Sequence, residues 1–181
     1  MRIVGGLYKR RIAKIPQGLP TRPTTERTRE ALASIIESRL DLSEANVLDI
    51  FSGTGMVTLE LISRGATQIT SVDKYVGCLN CLRQNLNLLK INTVPNLIQQ
   101  EAIQFLTETT EQYDVIYADP PYNWNATAAM LELIFSKKLL SSEGLLILEH
   151  ITNAGFDFRP EFIASRKYGT TALSLFSPVQ S

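Results

Sequence analysis

Two short segments hold residue types whose spacing could do chemistry. The first is Asp49-Ile50-Phe51-Ser52-Gly53-Thr54-Gly55, a carboxylate and two glycines closing an apolar run. Strand, tight glycine turn and helix together bring backbone N–H groups and a positive helix end to an anionic ligand group. A dinucleotide fingerprint would have a third glycine at position 58, where this chain has Thr58. Asp49 adds negative charge to the pocket, which suits a zwitterion better than a pyrophosphate. The methionyl end of S-adenosyl-L-methionine is such a group: Asp49 favours its ammonium, and the turn at Phe51, Ser52, Gly53 and Gly55 accommodates its carboxylate. A structural glycine turn in some other α/β protein is the competing reading.

The second segment is Asp119-Pro120-Pro121-Tyr122, after the apolar run 113–118. Two prolines fix φ and remove N–H donors, so the polar groups left for a ligand are mainly acceptors, the Asp119 carboxylate and a nearby carbonyl. An exocyclic amino group on a base is a double donor. Two acceptors would orient its nitrogen and lessen delocalisation of the lone pair into the ring. Tyr122 offers a flat face for stacking, worth ~1–3 kcal/mol per base. A base held in a helix would have to be flipped out to reach it. In-line methyl transfer to such a nitrogen needs no metal and no strong base, so catalysis is positioning and electrostatics. The bland alternative is a proline turn after a strand.

Two further acids follow apolar runs. Asp73 can accept from both ribose hydroxyls of a nucleoside. Glu101 can accept from an adenine amino group while the Ala102 N–H donates to the ring. Each is also readable as a surface acid, Glu101 at a helix start. Cys78 and Cys81 fall inside a helical pattern with only His150 as another soft ligand, so no metal is expected. Glu149-His150 reads as structure or rim, and Trp124 as either a base-contacting rim or a packing residue.

The elements that must position these groups alternate. Runs at 46–51, 68–72, 96–99, 113–118 and 145–149 read as strands, and 56–64, 76–89, 102–109 and 126–135 carry apolar residues at helical spacing. This is the pattern of βαβ units in a doubly wound, mostly parallel sheet. Short segments at 162–166 and 173–176, separated by a turn, add an antiparallel hairpin. Ahead of the core, 2–4 and 8–12 are expected to pair as a small hairpin. A helix capped by Thr24 or Thr25 is expected to run to about Leu40, burying Leu32, Ile35, Ile36 and Leu40. The expected fold is therefore α/β and Rossmann-like, a seven-stranded sheet in one domain, with 1–23 as a basic arm and 24–181 as the core.

The chain has 181 residues, 44% hydrophobic and 20% charged, enough for one continuous core. No apolar run approaches the ~20 residues of a membrane span, and no secretory signal pattern is visible, so a cytoplasmic monomer with reduced thiols is expected. The zero net charge conceals an asymmetry: residues 1–30 hold eight basic and two acidic groups, the remainder ten and sixteen. Arg2, Lys9, Arg10, Arg11, Arg22 and Arg27 are candidate phosphate contacts, which would confine a polyanion to one side of an acidic body. A solvated basic terminus explains the same residues.

Together these motifs resemble the RsmD family of methyltransferases, which modify guanine N2 in bacterial 16S rRNA. The similarity spans nearly the whole chain, through Arg2-Ile3-Val4-Gly5-Gly6, the segment Arg22 to Glu30, Asp49 to Gly55, Asp119 to Tyr122 and Arg166 to Leu173. The resemblance implies a class I methyltransferase fold, cofactor contacts at Asp73 and around Glu101, and RNA contact by the basic arm. The family usually has Glu where Asp73 stands, Asp where Glu26 and often Glu101 stand, and an aliphatic residue where Thr28 stands. The implied partner is small-subunit rRNA or the small ribosomal subunit particle. A DNA adenine-N6 methyltransferase and a non-catalytic RNA-binding assembly factor remain as alternatives.

Overall fold

A computed structural model describes residues 1–21, 24–152 and 155–179. Twelve elements follow in order: α1 (Glu26–Glu37), β1 (Asn46–Ile50), α2 (Met56–Ser63), β2 (Gln68–Asp73), α3 (Val76–Leu88), β3 (Asn96–Gln99), α4 (Ala102–Glu108), β4 (Tyr113–Ala118), α5 (Thr127–Ser136), β5 (Leu140–Ile151), β6 (Phe162–Tyr168) and β7 (Thr171–Phe176). They form one seven-stranded sheet of order β3-β2-β1-β4-β5-β7-β6. The first five strands pair in parallel, and β7 is antiparallel to both β5 and β6. The expected α/β class with its antiparallel closing hairpin is what the chain adopts.

Strands β1, β2 and β4 are buried along almost their whole length because helices cover both faces of the sheet. One core layer joins α1, α2 and α3 to the sheet through Leu32, Ile36, Leu59 and Leu82. The other joins α4 and α5 through Phe105, Leu106, Met130 and Ile134. Strand order reverses between β1 and β4, so their carboxyl ends open a crevice, the place where such sheets bind ligands.

Strands β6 and β7 each run two residues further into their turn than the sequence pattern gives, and three other elements differ from the sequence reading as well. β5 begins at Leu140 rather than 145, because Leu140 already pairs with Tyr113 before a register shift leads into the Val115–Leu145 pairing. α1 stops at Glu37, and Leu40 lies past its end, only partly buried. Thr25 is its N-cap, accepting from the Thr28 N–H. The amino-terminal hairpin is reduced to a single antiparallel bridge between Arg2 and Ile12.

That segment is stitched to the core rather than projecting from it. Glu60 of α2, 1% exposed, accepts the N–H groups of Val4 and Gly5 at 2.8 Å each, and Ser63 Oγ donates to Gly5 O at 2.5 Å. Arg64 Nε bonds Glu60 at 3.0 Å, and the fully buried Arg29 approaches it at 3.8 Å while donating to Thr24 O and Arg2 O. Further along, Asn85 of α3 exchanges two hydrogen bonds with the Lys14 backbone. Ile3 and Ala13 complete the attachment by burying in the core.

Candidate active site

The crevice between the ends of β1 and β4 is a cavity of about 540 Å³. Its lining includes every residue expected to hold a cofactor except Gly55, together with all four of Asp119, Pro120, Pro121 and Tyr122. Two motifs 64 residues apart in sequence therefore share one chamber, as their positions at the ends of adjacent strands require.

Asp49 is completely buried near the end of β1. Its Oδ2 accepts from Thr58 Oγ1 at 2.6 Å, and that hydroxyl also meets Ser71 Oγ at 2.7 Å. Thr58 thus occupies the third-glycine position with a function of its own, linking the Asp49 carboxyl of β1 to Ser71 of β2. Burial pushes the Asp49 carboxyl up to about 7, against the Thr58 hydrogen bond that pulls it down. Asp49 Oδ1 and Ser52 Oγ are buried and have no hydrogen-bond partner among the described residues. Buried polar atoms are normally paired, so both mark places where a polar ligand group belongs.

The turn itself needs positive φ at Phe51 (65°), Gly53 (52°) and Gly55 (78°). A Cβ on Gly55 would lie 2.6 Å from Leu82, so this glycine serves the packing of α2 against α3 rather than the cavity wall. Gly53 N–H donates to Asp73 Oδ2 at 2.8 Å, and Tyr75 N–H donates to the other oxygen at 2.9 Å. Asp73 therefore braces the glycine turn as well as lining the cavity, with further acceptor capacity on each oxygen. Burial raises its carboxyl above the ordinary value despite these two bonds. Glu101 is exposed and pairs with Lys74 at 3.4 Å; Ala102 beside it is buried.

On the acceptor side Tyr122 is 51% exposed and lines the cavity. Trp124 lines the cavity and packs edge-on against Phe51, centroids 4.9 Å apart, which joins the two motifs and makes it a packing residue at the cavity wall. His150 does not line the cavity; it is buried against Ser174 Oγ at 2.7 Å and the Phe156 ring. Burial lowers its pKa, and its place is structural. Cys78 and Cys81 are buried, free thiols in α3, and no cluster of metal-ligating side chains occurs among the described residues.

Some lining residues escaped the sequence reading. Thr21, Thr24, Thr25 and Thr28 cover one wall, and Tyr168, Gly169, Thr170 and Thr171 from the β6–β7 turn reach another. Tyr117 and Glu149 line the cavity with Asp119, the Tyr117 hydroxyl donating to Glu149 Oε2 at 2.6 Å. Alternation along β4 was the available signal for Tyr117, two residues before Asp119 and so on the same face.

The basic candidates separate into two groups. Arg27 lines the cavity, and Arg2 pairs at 2.7 Å with Glu26, the residue before Arg27 at the start of α1. Lys9 and Arg10 are exposed, and Arg11 donates to Leu89 O at the far end of α3 while lying over the Tyr8 ring. Arg22 lies outside the described residues. No helix among the described residues is long and apolar enough to cross a membrane.

The chain matches a family model described as conserved hypothetical protein 95 over residues 1–177. It is 29% identical to ribosomal RNA small subunit methyltransferase D of Haemophilus influenzae over 152 residues, 82% of this chain and 78% of that one. The Escherichia coli protein of the same name is 28% identical over 160 residues, 88% and 79% of the two chains. In structure, a hypothetical protein of Thermus thermophilus superposes with a TM-score of 0.83 at 27% identity, covering 98% of this chain and 99% of its own.

Proposed function

From the premise that this chain belongs to the conserved hypothetical protein 95 family, we propose that it is an S-adenosyl-L-methionine-dependent methyltransferase acting on guanine N2 in small-subunit rRNA. The observation that carries the reading is the single cavity holding both the Asp49 glycine turn and Asp119-Pro120-Pro121-Tyr122. The names of the relatives, small-subunit rRNA methyltransferases, support the substrate.

The cavity suits the cofactor on its own chemistry. Asp49 Oδ1 is a buried acceptor lacking a partner among the described residues, matched to an ammonium, and Ser52 Oγ can donate to a carboxylate. Asp73 would take the ribose hydroxyls, and Glu101 and Ala102 the adenine. When bound, the cofactor supplies a methyl group on a positively charged sulfur that becomes a neutral thioether once the methyl has left. Asp119 and the neighbouring carbonyl would orient the amine so that its lone pair forms the new N–C bond as the C–S pair returns to sulfur. The proton lost from nitrogen passes to Asp119 or to water. Tyr122 would stack on the flipped guanine, and Trp124, packed on Phe51, would stand between the acceptor motif and the glycine turn.

Incubation with labelled cofactor and unmodified small-subunit rRNA or particles, followed by digestion to nucleosides, should yield N2-methylguanosine. N6-methyladenosine would move the reading to the adenine alternative, and no transfer to either substrate would end it.

A further inference from the structure

Adenine and guanine both offer an exocyclic amine, so Asp119 alone does not choose between them. The ring nitrogen beside that amine does differ: N1 of guanine carries a proton, whereas N1 of adenine is an acceptor. A site that reads this atom needs a second fixed acceptor next to the first. The ends of β4 and β5 supply one. Their ladder pairs Tyr117 with Ile147 and Ala118 with Leu148, so one further step brings Asp119 alongside Glu149. Adjacent strands lie about 4.8 Å apart. Tyr117, Asp119 and Glu149 all line the same cavity, and Glu149 is 5% exposed.

Tyr117 fixes the orientation of this second carboxylate. Its hydroxyl, on a fully buried side chain, donates to Glu149 Oε2 at 2.6 Å. Burial and the charges of Asp119 and Glu149 push the phenol's pKa well up, so it remains a donor. Two carboxylates at the ends of adjacent strands, Asp119 half-buried and Glu149 buried, present neighbouring acceptors to one cavity.

Resting on the reading of guanine N2 above, we propose that Glu149 is a specificity-determining residue that accepts the guanine N1–H while Asp119 accepts from the N2 amine, with Tyr117 as its positioning residue. The pair matches the consecutive donors of the guanine Watson–Crick edge. Adenine would put its N1 lone pair against the Glu149 carboxylate, a mismatch of the kind that rejects a wrong substrate.

Glu149→Gln tests this without changing shape. The Tyr117 hydroxyl would hold the new amide by its carbonyl and turn the NH2 toward the base, replacing an acceptor with a donor. Transfer to small-subunit rRNA should fall at least ~100-fold in kcat/KM, with cofactor affinity within about twofold. Adding Tyr117→Phe releases the amide to rotate and should recover about tenfold of the loss, which a merely structural role for Glu149 would not do. In the unmodified protein, guanosine monophosphate should inhibit transfer at least about tenfold better than the 2-aminopurine analogue, which keeps the amine but has an acceptor at N1. Undiminished transfer by Glu149→Gln, no recovery in the double variant, or equal inhibition by the two nucleotides, including none by either, would each overturn the inference. If the unmodified protein still makes N2-methylguanosine in those cases, the proposed function stands; if it makes none, that reading fails first.

Discussion

Burial lifts the Asp49 carboxyl to about 7, so near neutral pH it is divided between a neutral acid and the anion that an ammonium requires. Because this folded-state value lies above the unfolded one of 3.8, its contribution to stability is full below about 3.8 and is lost as pH rises through about 7. Ligand binding runs the other way, since an ammonium favours the anion. Cofactor affinity should therefore rise by up to about tenfold per unit between pH 6 and 7 and level off above, as calorimetric titrations would record. Thr58→Val removes the hydroxyl that lowers this value, and should move the midpoint upward and weaken binding at neutral pH. Asp119→Ala should cost about 100-fold or more in transfer while leaving cofactor affinity within about twofold. Asp49, Asp73 and Asp119 were legible because each closes an apolar run, where the fold puts ligands. The hydrogen bonds made by Thr58, Tyr117 and Glu149 were not, since they join partners 9 and 32 positions apart, although alternation along β4 does put Tyr117 on the Asp119 face.

At the level of elements, the glycine turn and the Glu60 cluster hold the site's frame. Gly55→Ala would combine a positive φ of 78° with overlap on Leu82, and should cost about 2–4 kcal/mol in chemical denaturation. Glu60→Gln would leave Arg29, 0% exposed, without its counter-charge; a loss of about 3–5 kcal/mol is expected by the same measurement. The five parallel strands were readable from their apolar runs, and the closing hairpin from its turn. The early start of β5 was hidden because Ser141-Ser142-Glu143-Gly144 has the composition of a loop, and only pairing with Tyr113 makes it strand. The anchoring of residues 1–14 was equally hidden, because Glu60, Ser63 and Asn85 act on backbone groups 55 to 71 positions away.

Over the whole molecule, the basic segment belongs to the folded body, so its charge can be changed without removing it. Lys9→Glu with Arg10→Glu should weaken rRNA binding and reduce the salt dependence by about 1–2 units of log–log slope, with cofactor affinity unchanged. A salt series in filter binding measures this, and an unaltered slope would assign these residues to solvent. The placement of Arg11 at the far end of α3 has a further consequence. The thirteen residues of α3 run from beside Tyr75 at the cavity to that end, about 20 Å at 1.5 Å per residue. At about 3.4 Å per stacked nucleotide, that distance spans roughly six positions of a strand. A dinucleotide or short loop can fill the chamber without touching the distal charges, whereas a long folded RNA can engage both. On the proposed function, RNA contact at both places would make the response depend on substrate length: trimming the RNA should raise KM and flatten its salt response while leaving kcat nearly intact.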